Sequence, residues 1–143
     1  MNLLEATCAC GSVSIELSRK PEYLNDCNCR LCRNSGGVWG YFDPDDVSVT
    51  GLTSKWSRRD RELPAVSVHF CDVCGATTHW TLTQRYIEAY NPEPRMGVNM
   101  RLFDMKQLEG VVLHYPDGLS WDGVSEYGFR RPSETIGEEP TRF

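Results

Sequence analysis

Apolar and polar residues alternate in several short segments of this chain. The clearest alternation covers residues 12–17 and 66–70, and less regular versions cover residues 38–42, 47–49, 78–82, 86–90, 98–103 and 111–115. A period of two puts every second side chain on the same face, which is typical of half-buried strands. Glycine, proline, asparagine and aspartate residues between the segments predict turns. The pattern therefore predicts a mostly β chain.

Helical patterning is scarce. Residues 104–109, closed by Gly110, could form one or two helical turns, with Asp104 as the N-cap. After residue 116 the apolar periodicity gives way to glycine, proline, serine and glutamate. We therefore predict a body of residues 1–115 and a C-terminal extension of residues 116–143 that packs on the body or is partly disordered.

Size and charge narrow the function classes. The 143 residues suit one domain, and the formal net charge of −5 disfavours a nucleic-acid surface, although a few local arginines could still bind small anions. No stretch approaches the roughly 20 apolar residues that span a bilayer, and the first residues lack a signal-peptide pattern. We expect a cytoplasmic protein that binds neither nucleic acid nor membrane. The sequence leaves the oligomeric state open.

Seven cysteines form three groups in the chain, of two, three and two residues. In a reducing compartment, close cysteine spacing indicates metal binding or catalysis more often than disulfides. Structural zinc takes four protein ligands, whereas catalytic zinc takes three and leaves one position open. The two pairs together supply four ligands and the middle group supplies three. The members are Cys8 and Cys10, then Cys27, Cys29 and Cys32, then Cys71 and Cys74.

Glycine follows the second cysteine of each pair, at Gly11 and Gly75. Glycine tolerates positive φ, so the chain can turn sharply there and direct backbone N–H groups at a thiolate. This favours one closed structural site made from both pairs. Reduced, buried cysteines or disulfides are the alternatives.

The middle cysteine group can reach one metal only if the chain curls tightly, as in a short helical turn ending near residues 36–37. Its open fourth position would suit a thiol ligand. The alternatives are no metal, or a second closed site completed by a carboxylate or by one of the three histidines, His69, His79 and His114. The first two of these histidines are also candidates for a proton shuttle.

Arg30 and Arg33 flank the middle group and could pair with the carboxylates of a glutathione-like ligand, or be ordinary surface charges. Trp39, Tyr41 and Phe42 could form the wall of a pocket, or belong to the core of the strand predicted there. We retain Arg30, Arg33 and Trp39 as candidate substrate-binding residues.

Three motifs, taken in order, carry a resemblance to a known family. They are C-x-C-G at residues 8–11, C-x-C-x-x-C-R at residues 27–33 followed by Gly37 and an aromatic strand, and F-C-x-x-C-G-x-x-x-x-W at residues 70–80. Residues 98–104 also match the family's closing strand. Over residues 5–115 the chain resembles the glutathione-dependent formaldehyde-activating enzyme family, which includes centromere protein V-like members.

The resemblance implies a mostly β fold of small sheets around zinc, with short helical turns. It implies two zinc ions per chain, a structural one held by Cys8, Cys10, Cys71 and Cys74 and a catalytic one held by Cys27, Cys29 and Cys32. The implied activity is that of a carbon–sulfur lyase, which forms or cleaves an S-hydroxymethyl adduct of a glutathione-like thiol and formaldehyde. The alternative function is a non-catalytic zinc-binding interaction module.

Overall fold

The computed structural model describes residues 3–138. Within that range the chain forms strands and short helices, which confirms the prediction of a mostly β fold with short helical turns. The strands are β1 Leu4–Thr7, β2 Ser14–Leu17, β3 Tyr23–Asn25, β4 Trp39–Phe42, β5 Val47–Thr50, β6 Thr53–Ser57, β7 Val66–Cys71, β8 Thr77–Leu82, β9 Met96–Asn99, β10 Val112–His114 and β11 Glu134–Thr135. The α-helices are α1 Arg30–Ser35 and α2 Gln84–Tyr90, and 3-10 turns occupy Pro44–Asp46, Met100–Leu102 and Met105–Leu108.

The strands form two sheets. The small sheet has the order β1-β2-β5 and the large sheet the order β11-β10-β3-β4-β9-β8-β7-β6. All neighbouring strands are antiparallel except β3 and β10, which run parallel. Strands β6 to β9 lie side by side in chain order, as do the pairs β3–β4 and β10–β11. Because the β3–β4 pair lies between β10 and β9, the middle of the large sheet combines distant parts of the chain.

Alternation along the strands divides the large sheet into two faces. In β4, Phe42 joins the main hydrophobic core, whereas Trp39 belongs to a separate cluster with Val68 and Trp80. The main core also contains Ile15 and Leu17 from the small sheet and Leu24, Val98, Met100 and Leu113 from the rest of the chain. One face of the large sheet therefore packs on the small sheet, and the other carries an aromatic surface.

Glycine makes room for that aromatic surface. Gly97 on β9 pairs with both Tyr41 and Trp80 across the sheet, and a Cβ on Gly97 would lie 2.0 Å from the indole Nε1 of Trp80. The indole can lie flat over β9 only because no side chain projects from that position.

The strand predicted for residues 98–103 is wrong beyond Asn99. The Asn99 side chain caps the 3-10 turn that follows, because its Oδ1 accepts the Arg101 N–H at 3.2 Å. The same oxygen accepts the Val38 N–H at 3.2 Å, and Asn99 Nδ2 donates to the Thr77 carbonyl at 2.9 Å. A buried amide that satisfies three backbone groups thus ends β9 and joins it to its neighbours.

The strand predicted for residues 86–90 is also wrong, because these residues belong to α2. Thr83 caps the helix by accepting the Tyr86 N–H at 3.2 Å, and Asn91 ends it in the left-handed conformation. Tyr86 and Tyr90 contact each other at 4.9 Å between ring centroids, as residues four apart do on a helix. The apolar spacing of residues 86–90 fits both the period of a strand and that of a helix. The capping by Thr83 and Asn91 favours the helix.

The helical turn predicted at residues 104–109 is confirmed as the 3-10 turn Met105–Leu108, capped by Asp104, whose Oδ1 accepts the Lys106 N–H. Among residues 3–138, no helix has the length and apolar character needed to cross a membrane.

The predicted extension of residues 116–143 is described as far as residue 138, and residues 139–143 lie outside the described range. The division of the chain at residue 115 stays a prediction.

We predict that Asn99→Ala lowers the free energy of unfolding by about 2–4 kcal/mol, because it removes the partners of several buried backbone groups. Denaturant unfolding of the metal-loaded protein measures the change. The control is Asn34→Ala, which removes one exposed hydrogen bond to the Arg30 carbonyl and should cost less than about 1 kcal/mol. Equal effects of the two substitutions would contradict the structural role given to Asn99.

Candidate functional site

Four cysteines converge where the two sheets meet. Cys8 and Cys10 follow β1, and Cys71 and Cys74 lie at the turn between β7 and β8. The Sγ atom of Cys10 lies 3.6 Å from that of Cys8 and 3.7 Å from that of Cys71, and the four Sγ atoms are all within 4.8 Å of one another. The edge of a tetrahedron with metal–sulfur bonds of ~2.3 Å is about 3.8 Å, so this four-cysteine group fits one tetrahedral metal ion.

Backbone N–H groups around the four-cysteine group are directed at sulfur. Val13 donates to Cys8 Sγ and Val73 to Cys71 Sγ, each at 3.3 Å. Gly11 and Gly75 adopt φ values of 81° and 75°, which make both turns possible, as their place in the sequence predicted. Burial opposes ionisation of Cys8, but the Val13 N–H and the neighbouring thiols lower the pKa of Cys8 to about 6.

The other three cysteines lie together between β3 and α1. Cys29 is the N-cap of α1, and its Sγ accepts the Cys32 N–H at 3.5 Å. Cys27 Sγ accepts the Cys29 N–H at 3.4 Å. The helix ends at Gly36 in the left-handed conformation, so the predicted short helical turn ending near residues 36–37 is confirmed.

This three-cysteine group, Cys27, Cys29 and Cys32, has its Sγ atoms within 4.8 Å of one another. Among residues 3–138, no histidine or carboxylate joins it as a fourth ligand. The group therefore offers a metal three soft ligands and leaves a position for another molecule.

The three thiols cannot all ionise by themselves. Hydrogen bonds from the Cys27 and Cys32 thiols hold the pKa of Cys29 well below its ordinary value, with further help from backbone N–H groups. The pKa of Cys27 is raised, first by its hydrogen bond with Cys29, and that of Cys32 is raised by its hydrogen bonds with Cys27 and Cys29. A bound cation would remove this conflict, because it stabilises every thiolate at once.

Trp39 contacts the three-cysteine group directly. Its indole Nε1–H donates to Cys32 Sγ over 3.3 Å, and its side chain is buried. Gly37 allows this position, since a Cβ there would lie 2.1 Å from the indole ring. Trp39, a predicted substrate-binding residue, therefore also holds one cysteine of the group in place.

A cavity of about 930 Å³ opens beside the three-cysteine group, on the aromatic face of the large sheet. Its wall includes all three cysteines and Trp39. The remaining wall is mostly apolar and aromatic and includes Leu31, Tyr41, Val66, Trp80, Leu82, Tyr86, His114, Trp121, Tyr127 and Phe129. A small-molecule site of this size and character is typical of enzymes and binding proteins.

One edge of the cavity is formed by a C-terminal hairpin, residues 116–129. Its ends pair through Pro116 and Phe129, and the Asp117 N–H donates to the Gly128 carbonyl at 2.8 Å. Asn28, between two of the cysteines, ties the hairpin down: its Nδ2 donates to Asp117 Oδ1 at 2.8 Å, and its Oδ1 accepts the Leu119 N–H at 2.9 Å.

Gly118 brings the hairpin backbone against the three-cysteine group. A Cβ on Gly118 would lie 2.5 Å from Cys27 Sγ and 3.0 Å from Cys29 Cβ. The sequence analysis missed this contact, because no motif marks Gly118 and it lies about 90 residues from the cysteines.

The two candidate arginines point to different places. Arg33 lines a pocket of about 270 Å³ that also borders Cys27 and Cys32 and contains Arg101 and Arg130. Arg30 lines a separate groove with Arg58, outside the aromatic cavity. The substrate-binding roles of Arg30, Arg33 and Trp39 stay predictions.

The three histidines lie in two separate places. His69 and His79 stack at 4.1 Å between ring centroids within the β7–β8 hairpin, outside the wall of the aromatic cavity. Burial lowers the pKa of His69. Burial and the neighbouring His69 together lower the pKa of His79 to about 4. His114 lines the cavity and packs against Tyr23 and Phe129. The place of His114 in the strand predicted for residues 111–115 does not indicate that it faces a cavity.

Comparisons with known proteins agree with the resemblance noted in the sequence. The family model described as "Glutathione-dependent formaldehyde-activating enzyme" matches residues 3–107. A crystal structure of a Rhodobacter sphaeroides protein is similar in fold, with a TM-score of 0.54 and 24% sequence identity over 71% of this chain and 88% of that one. No curated protein matches the chain in sequence. The family match covers well over half of the sequence and both cysteine groups, so this chain belongs to the glutathione-dependent formaldehyde-activating enzyme family.

Proposed function

We propose that this protein is a zinc-dependent carbon–sulfur lyase-type enzyme that joins a glutathione-like thiol to an aldehyde such as formaldehyde and cleaves the same adduct. The observation that supports it best is the three-cysteine group at the wall of a large cavity, with no fourth ligand among residues 3–138. A structural metal site would gain from a fourth protein ligand, whereas a catalytic one needs the free position.

The two cysteine groups have different proposed roles. The four-cysteine group would hold a structural zinc, because its sulfur separations match a tetrahedron and its members come from both sheets. The three-cysteine group would hold the catalytic zinc. Zinc bound there would lower the pKa of a substrate thiol, so that a thiolate forms near neutral pH.

The thiol substrate is proposed to bind through the arginine pocket. Arg33, Arg101 and Arg130 surround a space that borders Cys27 and Cys32, and Asp26 is its one acidic wall residue. Glutathione carries two carboxylates, and guanidinium groups bind carboxylates through paired, charge-assisted hydrogen bonds. A carboxylate held in this pocket would keep the thiol of the same molecule close to the cysteine group.

Two contacts from elsewhere in the chain hold the three-cysteine group in place. Trp39 donates its indole N–H to Cys32 Sγ and so fixes the orientation of that ligand. The hairpin backbone at Gly118 packs directly against Cys27 and Cys29. These contacts would hold the three sulfur atoms in one arrangement before substrate arrives.

In the proposed reaction the thiolate sulfur attacks the aldehyde carbon. A carbon–sulfur bond forms, the carbonyl π electrons move to oxygen, and that oxygen takes up a proton; cleavage reverses these events. His114 is the proposed proton carrier, because it is the histidine in the cavity wall. His69 and His79 lack access to the cavity and are assigned a structural role.

The alternative function, a non-catalytic zinc-binding interaction module, has less support. It requires a three-cysteine group closed by a protein ligand, and none is present among residues 3–138. We further propose a cytoplasmic location, because all seven cysteines lie within the described residues without a disulfide, and reduced cysteines persist in a reducing compartment.

Elemental analysis of protein purified without oxygen should give two zinc ions per chain. The triple variant Cys27→Ser, Cys29→Ser, Cys32→Ser should keep one zinc and the fold. It should no longer catalyse the exchange between formaldehyde and S-hydroxymethylglutathione, which NMR measures.

Cys74→Ser, in contrast, should lower the melting temperature by roughly 10 °C or more, because it opens the structural site.

A triple variant that retains wild-type exchange activity would contradict the catalytic assignment. A wild-type protein with one tightly held zinc and three free thiols would support the interaction-module alternative instead.

Arg33→Gln should raise the KM for glutathione roughly three- to tenfold and leave kcat nearly unchanged, because the substitution removes a carboxylate-binding charge away from the reacting atoms. Steady-state kinetics measure both constants. Arg85→Gln is the matched control, since Arg85 is exposed on α2 and lines none of the cavities described above. Equal KM values for the two variants would exclude Arg33 from substrate binding.

Gly118→Ala should weaken zinc binding at the three-cysteine group by roughly tenfold or more, because the added methyl group overlaps Cys27 Sγ. Competition with a chromogenic chelator measures this affinity. Gly128→Ala is the control in the same hairpin, since nothing lies within 4 Å of the added Cβ and its φ is not positive. Identical affinities in the two variants would show that the hairpin does not constrain the metal ligands.

A further inference from the structure

The aromatic cavity is much larger than the smallest aldehyde needs. Its volume of about 930 Å³ lies at the upper end of the range for sites that enclose drug-sized ligands. Formaldehyde has one carbon atom and no apolar surface to bury. The arginine pocket, which is separate, already provides a place for the charged part of a thiol such as glutathione.

The cavity wall is also poor in charge. Among residues 3–138, Glu93 and Arg95 are the only aspartate, glutamate, lysine or arginine residues in this wall, and the Arg95 guanidinium stacks on Tyr41 at 4.3 Å from the ring centroid. The rest of the wall consists mostly of indole, phenol and aliphatic groups, with Leu31, Trp39 and Trp80 among them. Such a surface binds apolar and aromatic groups and gives nothing to a small, hydrated carbonyl compound.

The C-terminal hairpin adds aromatic side chains that the family match does not include. The match ends at residue 107, whereas Trp121, Tyr127 and Phe129 come from residues 116–129 and line the cavity. Trp121 and Tyr127 stack at 4.4 Å between ring centroids, and Asp122 holds the turn between them by accepting the Val124 and Ser125 N–H groups. The hairpin is therefore an ordered aromatic wall.

These hairpin aromatics remain partly open to solvent although they face a cavity. Trp121 is 39% exposed, Tyr127 48% and Phe129 61%, whereas Trp39 and Trp80 on the sheet are 2% and 8% exposed. Exposed apolar surface that lines a concave site is typically covered when a ligand binds. A ligand with its sulfur at Cys27, Cys29 and Cys32 would extend along these rings.

We infer that the electrophile of this enzyme is a bulky aldehyde with an aromatic or extended apolar substituent, which the C-terminal hairpin and the sheet aromatics enclose. This inference rests on the proposed function. The thiol adds to the aldehyde carbon, one carbon–sulfur bond forms, the carbonyl π bond breaks, and the oxygen gains the proton that the thiol loses. The adduct is a hemithioacetal, its apolar substituent lies in the aromatic cavity, and no oxidant or reductant takes part.

Stable S-alkyl glutathiones test this inference, because they resemble the adduct but do not react. Isothermal titration of the zinc-loaded full chain should give a dissociation constant for S-benzylglutathione at least about tenfold lower than for S-methylglutathione. Covering about 60 Å² of apolar surface, part of one ring, corresponds to that factor.

Variants of the hairpin locate the source of the preference. Trp121→Ala and Phe129→Ala should each reduce the preference for the benzyl compound severalfold without changing the affinity for S-methylglutathione. Val124→Ala is the matched control, because Val124 is 91% exposed at the hairpin tip and does not line the cavity. Unchanged melting temperatures show that the variants remain folded.

The possible results separate this inference from the proposed function. Equal affinities of the wild-type protein for both compounds would overturn the inference and leave the thiol site intact. A preference that survives both hairpin substitutions would also overturn it, since the hairpin would then not form the binding surface. If neither glutathione compound binds, the proposed function fails and the inference fails with it.

Discussion

The convergence of Cys8, Cys10, Cys71 and Cys74 is the constraint on which the rest of the structure depends. The small sheet and the large sheet share no strand, and these cysteines lie in turns of both. Their sulfur atoms are spaced for one tetrahedral ion. Four thiolates this close together repel one another unless a cation lies between them, so a cation bound there would also join the two sheets. That junction fixes the β7–β8 hairpin, and with it the face of the large sheet that carries Trp80.

The position of the second cysteine group follows from this frame. The large sheet packs one face on the small sheet, so its aromatic residues on the other face are left to line a cavity. Glycine at Gly37 and Gly97 lets the indoles of Trp39 and Trp80 lie close to the backbone. The loop with Cys27, Cys29 and Cys32 opens into this cavity, and Asn28 holds the C-terminal hairpin over it. The candidate metal ligands, the cavity wall and its cover therefore come from three separate parts of the chain.

Charge is arranged locally rather than over the whole molecule. The chain has a net charge of −5, yet Arg33, Arg101 and Arg130 surround a small pocket beside the three-cysteine group. The cysteines themselves cannot all ionise without a cation, which is why the pKa of Cys29 is lowered while those of Cys27 and Cys32 are raised. Three cysteines that could hold a cation, a pocket lined by arginines and an apolar cavity thus lie next to one another. This combination is suited to a substrate that has a soft sulfur, carboxylates and an apolar substituent.

The sequence by itself determined the features that depend on local chemistry. Cysteine spacing predicted two metal-binding groups, Gly11 and Gly75 predicted the sharp turns, and the alternation of apolar residues predicted most strands. It failed at residues 86–90, where tyrosines four apart suit a helix as well as a strand, and at Asn99, whose buried amide ends a strand by bonding to Val38 and Thr77 from other elements. Only the tertiary structure decided the cavity, the arginine pocket and the hairpin contact at Gly118. These consist of residues tens of positions apart, and their contacts depend on how whole sheets and loops pack, which no local pattern encodes.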